Sequence, residues 1–262
     1  MSYRELHPHP ALAPWVDRLW VTATDGAATT PRVILPDGCL DVMVHVDARR
    51  GARAVTVGTM TRAIEVTPGA VGRTISVRFR PGAARAFVGV PLEALTDREA
   101  DAGELRLGWL DAAPFEADRS LDASVARLEA ALLGRVARAS PLAPPDARVA
   151  HAVARLYGSA APAVEALADE LQVTRQYLGR VFRAHVGVGP KQLARVARLQ
   201  RSVDFLQRRP GAGLAEAALV LGFFDQAHMT RELRELADVT PGEVRARPPG
   251  SIPPIRSLLS VP

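Results

Sequence analysis

The sequence predicts an α+β chain of two domains: a β-rich N-terminal sensor or regulatory domain, and an all-α C-terminal domain with two helix-turn-helix subdomains joined by a long helix. Three observations predict it. Short runs that alternate apolar and polar residues, divided by Gly and Pro, fill residues 1–110, and that is the period of half-buried strands. Beyond residue 145 the patterns are helical, with apolar residues three and four apart. Within that second half one helix-turn-helix pattern occurs twice.

Arg32–Leu35 reads as a strand and Pro36-Asp37-Gly38 supplies the turn after it. Leu40, Val42, Val44 and Val46 then share one face of a strand whose other face carries Cys39, Asp41, Met43 and His45. Ala54–Thr59, Arg62–Thr67 and Thr74–Arg80 are further strands, and residues 82–90 form a short helix between a Pro-Gly start and a Gly-Val-Pro stop. The expected result is a small sheet or barrel. Leu121, Val125, Leu128, Leu132 and Val136 make one stripe of an amphipathic helix, which packs on the β domain or pairs with its copy in a homodimer; packing is the favoured expectation. ASPLAPP (139–145) breaks the pattern with three prolines. The expected division is therefore 1–118 for the regulatory domain, 119–145 for a helix and linker, 146–247 for the helical domain and 248–262 for a flexible, proline-rich tail.

Composition narrows the function classes. No run of about 18 uncharged apolar residues occurs, so no membrane span is expected. The start, MSYRELHPHP, lacks the basic-then-apolar order of a secretory signal, and the single cysteine, Cys39, precludes an intrachain disulfide; both point to the cytoplasm. Cys39 and His45 lie on one strand without the spacing of a metal site, so neither metal nor cofactor is expected. No nucleophile–base set stands out, so no catalytic residues and no enzyme are expected. The net charge of +5 is unevenly placed. Residues 1–145 balance to zero, whereas residues 146–247 hold 15 Lys and Arg against 11 Asp and Glu. An excess confined to the helical half suits contact with phosphates.

The repeat supplies the mechanism. TRQYLGRVFRAHVGVGP (174–190) aligns with DQAHMTRELRELADVTP (225–241) at an offset of 51, while Ala168 matches Ala218 at an offset of 50. One extra residue therefore lies in the second turn. Thr174 and Asp225 are placed to cap the second helix of each copy, Gly222 permits a left-handed turn, and Gly187 ends the first copy where Asp238 ends the second. A recognition helix lays its N-terminal turns against base edges. The candidate groove-facing residues there are Arg175, Gln176 and Arg180 in the first copy and Gln226, Ala227, Thr230 and Arg231 in the second. Arg suits guanine, Gln suits adenine, and Ala or the Thr methyl suits the thymine methyl. Arg183, Lys191 and Arg195 are expected at phosphates, Arg198 in a structural ion pair, and His228 in capping or packing.

These stretches carry a resemblance. LADELQVTRQYLGRVFRAHVGVGPKQLARVARLQRSVDFL and LAEAALVLGFFDQAHMTRELRELADVTPGEVR resemble the two helix-turn-helix units and linking helix of the AraC/XylS family of transcriptional regulators, with Gly222, Phe223, Asp225, Gln226, His228, Thr240, Pro241 and Arg245 in register. Leu233, Asp238 and Val244 depart from the family preference for Phe, Gly and an aromatic. The resemblance implies duplex DNA as partner, and RNA polymerase with it. Leu35-Pro36-Asp37-Gly38, Asp41, Val77–Gly82 and Gly89-Val90-Pro91 resemble an uncharacterised N-terminal domain of some AraC-like regulators, which implies a regulatory β domain.

A small-molecule effector in that domain would meet Asp41, Met43 and His45, with Arg78 or Arg80 of a neighbouring strand as cationic anchor; the favoured alternative is that Asp41 and Arg78 form an internal ion pair or face water. Three functions compete at this point: a ligand-responsive DNA-binding regulator, a DNA-binding protein whose N-terminal half only dimerises, and an enzyme fused to a DNA-binding module.

Overall fold

A computed structural model describes residues 2–25, 31–47, 49–67, 71–117, 120–138, 146–158 and 161–246. The expected linker 139–145 and tail 248–262 lie outside the described residues.

The N-terminal half is built on an antiparallel sheet of six strands: β1 (Ser2–Leu6), β2 (Val16–Asp25), β4 (Leu40–Asp47), β5 (Gly51–Val57), β7 (Val71–Phe79) and β8 (Glu99–Asp101), in the order β1-β2-β7-β4-β5-β8. A separate pair, β3 (Arg32–Ile34) and β6 (Ile64–Val66), stands apart from it. Alternation decides which face is buried. Leu19 and Val21, Leu40, Val42 and Val44, and Ile75, Val77 and Phe79 all point into one core. That core is covered by helix α1 (Arg85–Val88), through Phe87 and Val88, and by helix α2 (Leu121–Arg138), through Val125, Leu128 and Leu132. The apolar stripe of α2 is thus spent on the sheet.

The other face of the sheet carries Trp20, Asp41, Met43, His45 and Arg78, all half-buried. Asp41 and Arg78 are direct cross-strand partners, and Arg78 donates to both Asp41 oxygens at 3.1–3.2 Å. Its remaining amino group lies 3.2 Å from Asp37. His45 Nδ1 meets Thr74 Oγ1 at 2.9 Å. Arg78 is therefore already held by two carboxylates.

The C-terminal half holds seven helices among the described residues: α3 (Ala147–Tyr157), α4 (Val164–Glu170), α5 (Arg175–Val186), α6 (Pro190–Arg208), α7 (Leu214–Val220), α8 (Gln226–Ala237) and α9 (Pro241–Ala246). Two apolar cores lie along α6, which gives Leu193 and Ala197 to the first and Leu199, Val203 and Leu206 to the second. Tyr157, Leu167, Leu178 and Phe182 complete the first from α3, α4 and α5; Ala218, Met229, Leu233 and Val244 complete the second from α7, α8 and α9.

Each helical core also takes one buried residue from the N-terminal half. Cys39 is buried in the first and Leu35 in the second. Between them run Pro36, Asp37 and Gly38, buried as well. A buried turn must satisfy its polar groups, and this one does so from both halves. Tyr157 donates its hydroxyl to the Asp37 carbonyl at 2.5 Å, and the Gln200 amide donates to the Pro36 carbonyl at 2.7 Å. The Asp37 carboxylate accepts from the Cys39 N–H at 2.9 Å and faces Arg78. Burial raises the Asp37 pKa against the pull of Arg78 and likewise pushes the Cys39 thiol up.

Gly38 makes the close approach possible. Its φ is +75°, and a Cβ there would stand 2.5 Å from Tyr157 Oη and 2.7 Å from Leu193 Cδ1. Gly38→Ala is expected to cost at least about 2 kcal/mol, from a left-handed backbone penalty plus overpacking. It should also split chemical denaturation into two steps as the halves uncouple; a single unshifted transition would refute this role for the turn.

Candidate nucleic-acid interface

The two helical units are built alike. Helices α4 and α7 are offset by 50 residues and α5 and α8 by 51, so the duplication inferred from sequence is reproduced element by element. Thr174 accepts from the Tyr177 N–H at 3.1 Å and Asp225 from the His228 N–H at 2.6 Å, each satisfying an otherwise orphaned helix donor. Gly187 and Asp238 both end their helices in the left-handed region, at φ +93° and +51°, with N–H bonds to Arg183 and Arg234 carbonyls. The first turn differs in chemistry. Gln172, at φ +55°, stands where the second unit has Gly222, at φ +80°.

The N-terminal turns of both second helices are open to solvent. Arg175, Gln176 and Arg180 on α5, and Gln226, Ala227 and Arg231 on α8, are exposed. Arg175 pairs with Glu165 at 2.8 Å across a fully wetted surface, a contact worth little and easily exchanged. The Arg180 guanidinium lies over the Tyr177 ring, 5.6 Å from its centroid. Thr230 is half-buried and donates its hydroxyl to the Gln226 carbonyl at 2.9 Å. Lys191 is exposed at the start of α6, and Arg183 is exposed with Glu93 at 3.7 Å.

Arg195 and Arg198 are placed differently. Both reach Glu232 of α8, at 3.1 and 2.8 Å, and Arg195 also meets Glu235 at 2.7 Å. Arg198 stacks on Phe223 at 4.8 Å from the ring centroid. Burial pushes the Glu232 carboxyl up, but the two arginines outweigh it and hold its pKa below the ordinary value. The network fixes α8 against α6. Arg195, expected at a phosphate, is spent on this tie, whereas Arg198 is in a structural pair as its leucine-flanked position implied. His228 accepts from the Phe224 N–H at 3.3 Å and stands edge-on to Phe223, in a capping and packing place.

At their other ends both α5 and α8 are capped by the N-terminal half. The Thr59 hydroxyl donates to the Val186 carbonyl at 2.5 Å and the Thr96 hydroxyl to the Gly187 carbonyl at 2.7 Å. The Ala63 N–H donates to the Leu236 carbonyl at 2.7 Å, at the matching end of α8. Helix C-termini leave carbonyls without intrahelical partners, and here the other domain supplies donors to both units. Sequence reasoning missed these residues: it placed Thr59 and Ala63 in strands, whereas β5 ends at Val57 and β6 begins at Ile64, and Thr96 stood in no predicted element. Beside them Arg85 lies 3.0 Å from His185 Nε2. Among the described residues no three His, Cys, Asp or Glu side chains gather as metal ligands do, and no helix is long and apolar enough to cross a membrane.

Comparison with known proteins bears on both halves. Residues 167–247 match a helix-turn-helix domain family, and residues 4–101 match a domain of unknown function (DUF6597). The HTH-type transcriptional regulator GlxA of Rhizobium meliloti is 34% identical over 82 residues, which are 31% of this chain and 25% of that protein. The chain thus spans about a quarter of the length of that relative. Among solved structures, ToxT from Vibrio cholerae aligns over 95% of this chain and 100% of its own at 11% identity and a TM-score of 0.44. The C-terminal domain of AraT, a response regulator from Geobacillus stearothermophilus, aligns over 39% and 88% at 20% identity and 0.36.

Two measurements test this construction. Gln172→Gly should raise stability by about 0.5–1 kcal/mol, because it relieves a left-handed side-chain-bearing residue in an exposed turn; a loss would refute the strain. His185 gives a pH dependence. Burial, then Arg85, lowers its pKa, with Asp146 opposing. The unfolded chain, titrating at about 6.5, then takes up the proton first, so the contribution is whole above that pH and is lost as pH falls towards the lower folded value. Amide exchange at residues 186–188, corrected for intrinsic rates, should quicken between about pH 7.5 and 5.5. In His185→Gln the change should vanish.

Proposed function

We propose that this chain, whose residues 167–247 match a helix-turn-helix domain family behind a sheet domain of unknown function, is an AraC-type transcriptional regulator that reads duplex DNA with two recognition helices held at a fixed spacing. The observation that carries this reading is the pair of capped helices α5 and α8, whose N-terminal turns are exposed and basic or amide-bearing while their C-terminal ends are locked to the rest of the protein. An adjacent pair of major-groove readers needs a set separation, about one helical turn of DNA for neighbouring faces. In this reading the Glu232 network and the caps from the N-terminal half hold that separation.

In this reading Arg175, Gln176 and Arg180 face the bases of one block, and Gln226, Ala227 and Arg231 those of the next. Thr230 has committed its hydroxyl to the backbone, so it offers a methyl group rather than a hydrogen bond. Lys191 and Arg183 neutralise phosphates. A cytoplasmic protein of this kind acts on RNA polymerase, and the N-terminal half sets the geometry in response to an effector. The simpler reading, in which that half only dimerises, has less support: the stripe of α2 is buried on the sheet, and the sheet domain contacts both DNA-reading units.

Selection from a random duplex pool by the full-length protein should recover a site with two contact blocks about one helical turn apart. Arg180→Ala and Gln226→Ala should each relax one block, at about 1–3 kcal/mol per lost bidentate contact. Lys191→Ala should weaken all sequences alike and lower the salt slope by about 1. Absence of any enriched duplex would overturn the reading.

A further inference from the structure

The extra residue in the turn of the second helix-turn-helix unit is Phe224. Gln172 and Gly222 are the left-handed residues of the two turns. Val173 then donates its N–H to the Ala168 carbonyl at 3.0 Å, and Phe223 donates to the Ala218 carbonyl at 2.9 Å, so these two residues match. The caps Thr174 and Asp225 match as well. Val173 is followed directly by its cap, whereas Phe224 stands between Phe223 and Asp225 and has no counterpart.

Packing does not explain this phenylalanine. An apolar residue just before an N-cap ordinarily packs on the fourth residue of the helix that follows. In the first unit Val173 packs against the core that holds Leu178. In the second unit Phe223 has that place, buried in the core that holds Met229. Phe224 is left 85% exposed, more than any other large apolar side chain among the described residues. Its backbone, by contrast, is fixed. The Phe224 N–H donates to His228 Nδ1 at 3.3 Å, and the neighbouring Asp225 caps α8 on the His228 N–H. A wetted aromatic ring is thus anchored at the entrance of α8, next to the exposed Gln226 and Ala227. The N-terminal turn of such a helix faces base edges. A phenyl ring has no hydrogen bond for a phosphate oxygen, but it is one of the apolar groups that pick out thymine by its 5-methyl.

We propose that Phe224 is a specificity-determining residue, which sets its ring against a thymine methyl at the edge of the second contact block and has no equivalent in the first unit. The proposal rests on the DNA-binding reading. Leu219 and Val220 are exposed as well, but they lie on α7, and the first helix of such a unit crosses the DNA backbone, whereas Phe224 adjoins the helix that enters the groove.

The test takes the duplex that the full-length protein enriches and replaces each thymine of the second block and its flank by uracil in turn, which removes only the methyl. At one position the parent is expected to lose about three- to fivefold in affinity, as burial of a single methyl implies. Phe224→Ala should bind the thymine duplex no better than the parent binds the uracil one, and should not distinguish the two. Its thermal midpoint should equal the parent's, because the ring is in water. Thr230→Ser, which removes a different methyl from α8, should keep the parent's preference. An enriched duplex on which no uracil matters overturns this proposal alone, as does a Phe224→Ala protein that still prefers thymine at that position. If Phe224→Ala binds every duplex as the parent does, the proposal falls and Phe224 joins Leu219 and Val220 as a surface for another protein. Failure to enrich any duplex overturns the DNA-binding reading itself, and this proposal with it.

Discussion

Leu35 and Cys39 sit four residues apart on one turn, and each completes a different hydrophobic core of the helical half. The rest of the structure depends on that arrangement. Helix α6 runs through both cores, and the turn lies along it, with the Gln200 amide on the Pro36 carbonyl and the Tyr157 hydroxyl on the Asp37 carbonyl. Arg78 ties the same turn back to the sheet through Asp37 and Asp41. Removing the turn would open a cavity in each helical core and leave buried carbonyl acceptors without donors, penalties that add because they fall in separate cores. The two helical units are thus not a module merely attached to a sheet. Their packing is finished by it.

That dependence changes what Arg78 is. The alternation along Leu40–Val46 correctly places Asp41, Met43 and His45 on one face, and the pairing of Asp41 with Arg78 of the neighbouring strand is one of the two arrangements favoured from sequence. Sequence patterns could not show that a second acid, Asp37, arrives from the preceding turn. Pro-Asp-Gly is ordinary surface-turn chemistry, and surface is where such turns usually lie. Only the helical half, far along the chain, makes the turn an interior element. Long-range burial of this kind leaves no periodic trace.

The helical half was far more legible. Its caps, its left-handed stops and the one-residue difference between turns depend on local geometry, and local geometry is written in neighbouring residues. Arg195 shows the limit: on a helix face it reads as a phosphate contact, and the acids that claim it lie on α8, more than thirty residues away. In the N-terminal half β4, β7 and α2 were recognisable from periodicity. β1 and β2 were not, because β1 is largely exposed and β2 is interrupted by an irregularity in register between Val16 and Arg18 that breaks its alternation. The twofold capping of α5 and α8 by Thr59, Thr96 and Ala63 is a tertiary fact with no signature of its own.

The turn of residues 35–39 has a consequence for how the protein comes into being. The chain emerges from the ribosome sheet first, and of the strands on either side of the turn β3 can pair with β6 and β4 with β7 well before α6 exists. Until then Leu35 and Cys39 have no core to enter, and the nascent domain presents a sticky knuckle to water. Contacts spanning 120 and 164 residues close last and slowly, since long loops must be ordered before they are rewarded. Synthesis order therefore makes the sheet a template on which both helical units condense, and a stalled or truncated chain would display the very surface that chaperones and proteases recognise.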